Sequence, residues 1–173
     1  MKVRNRWLAI AAVMSLAAVL RFAWLGRASY TIDESQLVKI ALSYRSISDL
    51  VQREFQRFAF LHRLPLTMIL LRLCAQTVPW QGPLPPEWVM RLPMALIGLA
   101  TVGLLYAARL LGDRRVGFWA MLLCAVSFFA VFYSREAYDY SLLIFLSTAT
   151  LLAAAALLKS TLLNPTRFPV VTA

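Results

Sequence analysis

Four long runs of apolar side chain, almost free of charge, limit what this chain can fold into. They cover residues 7–25, 92–111, 116–133 and 141–158, and a helix of about 20 such residues crosses the roughly 30 Å hydrocarbon core of a bilayer. The last two carry no charged residue. Arg21 and Arg109 fall near the ends of their runs, where a long side chain is expected to snorkel to the headgroups. With 61% hydrophobic and 15% charged residues among 173, the chain holds more apolar side chain than one soluble core of that size buries. The expectation is an all-α, polytopic membrane protein. It has four transmembrane helices, amphipathic juxtamembrane helices in a long first external loop, and a single transmembrane domain over residues 1–173.

The net charge of +10 raises the question of a nucleic-acid partner. The 18 Lys and Arg residues are scattered between apolar runs and form no basic face, which excludes nucleic acid. Cys74 and Cys124 match no metal-ligand spacing and no disulfide framework. With one His in the chain, any metal would be held mainly by carboxylates.

Orientation follows from the basic ends. Lys2, Arg4 and Arg6 precede the first run as a signal peptide's basic region would, but no small-x-small site follows, and Phe22, Trp24 and Leu25 prolong the apolar stretch. The first run is expected to stay as a span. Residues 64–79 are short, carry Arg72 and Gln76 near the middle and run into a proline-rich stretch, so they are expected to lie in the interface. Positive-inside counting then puts Lys2/Arg4/Arg6, Arg109/Arg114/Arg115 and Lys159/Arg167 on the cytoplasmic side. Both termini are cytoplasmic, residues 26–91 form the long external loop, and residues 134–139 form a short external turn.

Inside that loop Leu37, Ile40, Ala41 and Tyr44 repeat with helical spacing, as do Val51, Phe55 and Phe58. Lys39, Arg45, Arg53 and Arg57 fall between them. Such helices suit a surface of anionic headgroups. A solvated loop resting on its own spans would show the same pattern.

Two acidic groups flank the spans on the external side. Asp33 and Glu34 follow the first span, and Thr31-x-x-Glu34 is a capping box. One carboxylate can cap while its neighbour does chemistry. The second group is Tyr133-Ser134-Arg135-Glu136-Ala137-Tyr138-Asp139-Tyr140. Tyrosines and charges at a membrane boundary often serve only as anchors, but Glu136 and Asp139 at i, i+3 would also share one helical face.

Taken together, Asp33-Glu34, the stretch Arg91-Leu92-Pro93-Met94-Ala95-Leu96-Ile97-Gly98, Gly112-Asp113-Arg114-Arg115 and Ser134-Arg135-Glu136-Ala137-x-x-Tyr140 resemble the GT-C glycosyltransferases. The resemblance is to the protein O-mannosyltransferase-like branch, which includes the aminoarabinose transferases and rhizobial lipopolysaccharide glycosyltransferases, and it runs over residues 1–158. It implies an enzyme that passes a sugar from a polyprenyl-phosphate donor to a lipid, glycan or protein acceptor on the extracytoplasmic face of the plasma (inner) membrane. Asp33 would be the catalytic base, beside Glu34, with Glu136 or Asp139 completing the site. It also implies a juxtamembrane helix over residues 64–79. The chain departs from many relatives in having Tyr138 where they have Arg. A histidine-proline element is reduced to His62-Arg63-Leu64-Pro65, making His62 a further candidate along with Tyr140. Relatives carry further spans, so the chain is expected to be an N-terminal part of such an enzyme.

A phosphate leaves as an anion and needs no proton, so cations suffice on that side. Asp33 would take the proton of the acceptor hydroxyl as it attacks the anomeric carbon from the opposite face, with inversion. Arg135 is the first choice for the phosphate, with Arg27 and Arg63 as alternatives; each would serve equally for a lipid headgroup. A divalent cation held by Asp33 with Glu136 or Asp139 and bridging to the phosphate is compatible with these hard oxygen ligands, though the sequence does not establish one. Two non-enzymatic readings compete: a non-catalytic remnant or subunit that binds lipid phosphates, and a small transporter. The second is disfavoured because no carboxylate lies inside a span.

Overall fold

The computed structural model describes residues 3–61, 65–112 and 114–163, and they are helical with no strand. In chain order these are α1 Val3–Phe22, α2 Ile32–Ser43, α3 Ile47–Leu61, α4 Pro65–Ala75 and α5 Glu87–Leu105, which runs on through a 3-10 segment Tyr106–Leu110. Then come α6 Arg114–Val126, α7 Phe128–Ser134 and α8 Tyr140–Leu163. Three stretches are long and apolar enough to cross a membrane, Asn5–Phe22, Glu87–Leu110 and Tyr140–Thr161. The number becomes four if α6 and α7 count as one span bent by 60°. These helices fit a membrane-embedded protein. α4, with 11 residues, is only about 16 Å long and too short to cross.

The bend corrects the expectation of one straight span over residues 116–133. That stretch offers no proline or glycine near the break, so its pattern looks continuous. Ser127 leaves helical geometry at ψ 121 and caps α7, its Oγ accepting from Ala130 N at 3.5 Å. The carbonyls stranded at the end of α6 are met from another helix. Arg21 of α1 donates to Cys124 O at 3.2 Å and to Ala125 O at 3.3 Å. Arg21 is therefore no snorkel: it is 0% exposed, turned inward onto a broken helix whose polar groups would otherwise be orphaned in apolar surroundings.

Packing divides into two clusters. Val13 and Ala17 of α1 meet Val102 of α5 and Met121 and Ala125 of α6, forming the centre of the bundle. Leu37, Val38 and Ala41 of α2, with Tyr44 at its C-cap, meet Leu50, Met68, Leu71 and Met90, so α2, α3 and α4 form a helical layer against the start of α5. The expected α2 face of Leu37, Ala41 and Tyr44 is buried, and Ile40 packs half-buried beside it. The side chains of Phe55 and Phe58 lie outside the described residues. Arg72 of α4 serves the layer by donating to Ala41 O, Tyr44 O and Arg45 O at 3.2, 2.6 and 3.1 Å, closing the C-terminal end of α2. Within the layer the Tyr44 hydroxyl donates to buried Glu54.

Candidate functional site

The site begins where α1 stops. Trp24 takes φ 55, the left-handed region in which a helix C-terminus usually places glycine, and the chain turns away. Arg135, from the loop after α7, donates to Leu20 O, Ala23 O and Trp24 O at 3.4, 2.9 and 3.4 Å. A cation at these last carbonyls also suits the helix dipole.

The chain then re-enters helix at α2 through the expected capping box. Thr31 Oγ1 accepts from Glu34 N at 3.3 Å, and Glu34 Oε2 accepts from Thr31 N at 2.9 Å. Glu34 does more than cap. Its carboxylate accepts from Arg91 Nε at 2.8 Å and Arg91 NH2 at 2.7 Å, and Oε1 also accepts from Ala137 N at 2.7 Å. It is 1% exposed. Burial pushes its carboxyl up, but the Arg91 guanidinium and the backbone N–H groups of Thr31 and Ala137 outweigh that and hold it below the ordinary 4.5. Arg91, from the first turns of α5, also donates to Leu25 O, Ala28 O and Ser29 O at 3.1, 2.8 and 3.1 Å. Two arginines thus hold the whole connection between α1 and α2.

Because Glu34 bonds Ala137 directly, the first loop and the turn after α7 meet at one end of the bundle. Between them opens a cavity of about 340 Å³, lined on its polar side by Thr31, Glu34, Arg91, Arg135 and Glu136. Glu136 is half-buried. Desolvation and then the negative charge of Glu34 push its carboxyl up, with Arg91 opposing and Asp33 adding to the rise. Asp33 stands exposed in the first turn of α2, near enough for its charge to act on Glu136.

The remaining candidates are scattered. Asp139 is 9% exposed just before α8. Among the described residues no three His, Cys, Asp or Glu side chains gather where they could hold a metal. Arg27 is exposed beside the cavity-lining Ala28. Tyr140 packs against Tyr133 and Tyr138, with ring centroids 4.5 and 4.9 Å apart. His62 and Arg63 lie outside the described residues. Sequence reasoning assigned no role to Arg91, and its only signal was its place in the quoted Arg91-Leu92-Pro93 stretch.

Comparison with protein-family models, with curated proteins and with solved structures finds no match for the chain.

Proposed function

We propose that this chain belongs to a membrane glycosyltransferase that moves a sugar from a polyprenyl-phosphate donor to an acceptor hydroxyl. The resemblance to GT-C enzymes suggests the reaction, and one geometric observation supports it best. Asp33 and Glu136, more than 100 residues apart in sequence, are brought to one end of the bundle by the hydrogen bond between their neighbours Glu34 and Ala137, and Glu136 lines the cavity there. In this reading the surrounding helices are the spans of a multi-pass plasma-membrane protein with both termini cytoplasmic and the cavity extracytoplasmic. The basic ends of the chain support that orientation. The juxtamembrane layer α2–α4 would then face the outer headgroups.

Asp33 is exposed, so it can meet an incoming hydroxyl, and it serves as the general base. The acceptor oxygen loses its proton to Asp33 and attacks the anomeric carbon while the bond from that carbon to the phosphate oxygen breaks. The phosphate departs with the electron pair and needs no proton. Glu136 orients the hydroxyl. Exposed Arg27, outside the cavity lining, is the cation offered to the leaving phosphate, since Arg135 is engaged with the carbonyls of α1. Glu34 takes no part in the chemistry, because its oxygens are filled by Arg91, Thr31 and Ala137.

The test is Asp33→Asn, which keeps the shape and cannot take the proton. Transfer in membranes carrying the enzyme is expected to fall to background while the amount of inserted protein is unchanged. Transfer at the wild-type rate would remove Asp33 as base.

A further inference from the structure

The cavity lining is mixed. Beside its polar groups it includes Trp24, Phe128 and Phe132, which are 72%, 73% and 45% exposed. The rings of Phe128 and Phe132 stack with centroids 5.8 Å apart and planes 19° apart. Trp24 holds its ring there from a backbone at φ 55, which a bulky residue adopts only at a cost. A strained residue that survives at a cavity wall points to a use for its side chain. An apolar wall beside a small set of polar groups suits an amphiphile.

The charge at the polar side decides which head fits. A phosphate seeks guanidinium donors that are free to turn toward it. Here both guanidiniums that line the cavity are engaged: Arg91 with the Glu34 carboxylate and three carbonyls, and Arg135 with three carbonyls of α1. Glu34 and Glu136 balance their charges. A phosphate would also have to sit beside the carboxylates of Glu34 and Glu136. A neutral hydroxyl head meets no such opposition, and Thr31 Oγ1 and the Glu136 carboxyl can both bond it.

We propose that this cavity binds the uncharged, hydroxyl-bearing head of an amphiphile, with its chain lying along Trp24, Phe128 and Phe132. It would then be the place of the acceptor, and the phosphate donor would bind elsewhere. The word acceptor rests on the proposed transfer reaction; the preference for a neutral head does not.

The chain in nanodiscs, with Trp7, Trp80, Trp88 and Trp119 changed to Phe, leaves Trp24 as the sole tryptophan reporter. Its fluorescence is titrated with bromoundecyl glucoside and with bromoundecyl phosphate, which share one quenching tail. Saturable quenching by the glucoside is expected, at least about tenfold tighter than by the phosphate, and Phe128→Ala with Phe132→Ala should weaken it. Tighter binding of the phosphate overturns the proposal. So does quenching that rises linearly with either compound, since that is ordinary lipid contact. If the reporter chain does not fold, the wild-type chain is compared by Tm with undecyl glucoside and undecyl phosphate, and an equal or larger rise with the phosphate has the same meaning. Saturable glucoside binding by a chain whose transfer is indifferent to Asp33→Asn would keep this proposal and discard the reaction.

Discussion

The carboxylate of Glu34 faces the guanidinium of Arg91 through two parallel hydrogen bonds of 2.8 and 2.7 Å, with both side chains almost fully buried. This pair locks α2, α5 and the backbone of residues 25–29 into one unit, and the bond from Ala137 adds the turn after α7.

Removing one partner of a buried pair leaves the other charge stranded, which costs about 3–5 kcal/mol, whereas loss of a helix cap costs about 1 kcal/mol. Glu34→Gln is therefore expected to destabilise the protein by the larger amount, and Glu34→Leu with Arg91→Met to recover part of it. Reversible unfolding in mixed micelles measures both. A loss near 1 kcal/mol for Glu34→Gln would reduce Glu34 to a cap.

The same carboxylate sets an acid limit. Its folded-state pKa lies below the ordinary 4.5, so the folded protein releases this proton more readily than the unfolded chain does. The stability it supplies is complete above pH 4.5 and drains away as pH falls below that toward the lowered folded-state value. Unfolding followed from neutral pH downward should show this decline in the wild type and a shallower one in Glu34→Gln.

Gly98 on α5 packs against Ser134 at the end of α7. A Cβ on Gly98 would lie 2.4 Å from Ser134 Cβ and 3.2 Å from Arg21 Nε, so Gly98→Ala must push the helices apart. We expect a loss of about 1–3 kcal/mol, relieved by adding Ser134→Gly and not by adding Ser134→Ala, since the obstructing atom is the Cβ itself. A double-mutant cycle on thermal stability reads this.

Arg21→Leu fits the apolar surroundings of the bundle yet strands the carbonyls of Cys124 and Ala125. Each buried carbonyl left unpaired costs about 1–3 kcal/mol, so α6 and α7 should straighten toward one helix to pair them. Spin labels at Val116 and Phe129, both exposed, should report a longer distance in Arg21→Leu. An unchanged distance would mean that Ser127 alone holds the bend.

The proposed orientation is checked by impermeant thiol labelling in a Cys-free background. Ser48→Cys and Gln81→Cys, exposed in and beside the α2–α4 layer, should label from outside, and Leu110→Cys, exposed at the far end of α5, should be protected. The reverse pattern would invert the protein.

The apolar runs were readable because a span must be apolar along its whole length, and Thr31-x-x-Glu34 was readable because a capping box is local. Long-range partners were not. Arg21 near the end of a run looks the same whether it reaches for headgroups or for carbonyls 103 residues later. The break at Ser127 was hidden because no proline or glycine marks it, and the arginine that meets the carbonyls beside it comes from α1. Arg135 invited a phosphate because it adjoins two acids, while its partners are the last carbonyls of α1. The Glu34–Arg91 pair spans 57 residues, and only one half of it carried a local signature.

Arg21 also imposes an order on assembly. During synthesis α1 emerges with a guanidinium whose carbonyl partner on Ala125 is 104 residues away, roughly 5–20 s of translation. In that interval a lone arginine favours the headgroups over the hydrocarbon, so α1 is expected to rest nearer the bilayer surface. When α6 arrives, with unpaired carbonyls of its own, each helix supplies what the other lacks. Docking of α1 and bending between α6 and α7 are then expected to come late and to depend on each other.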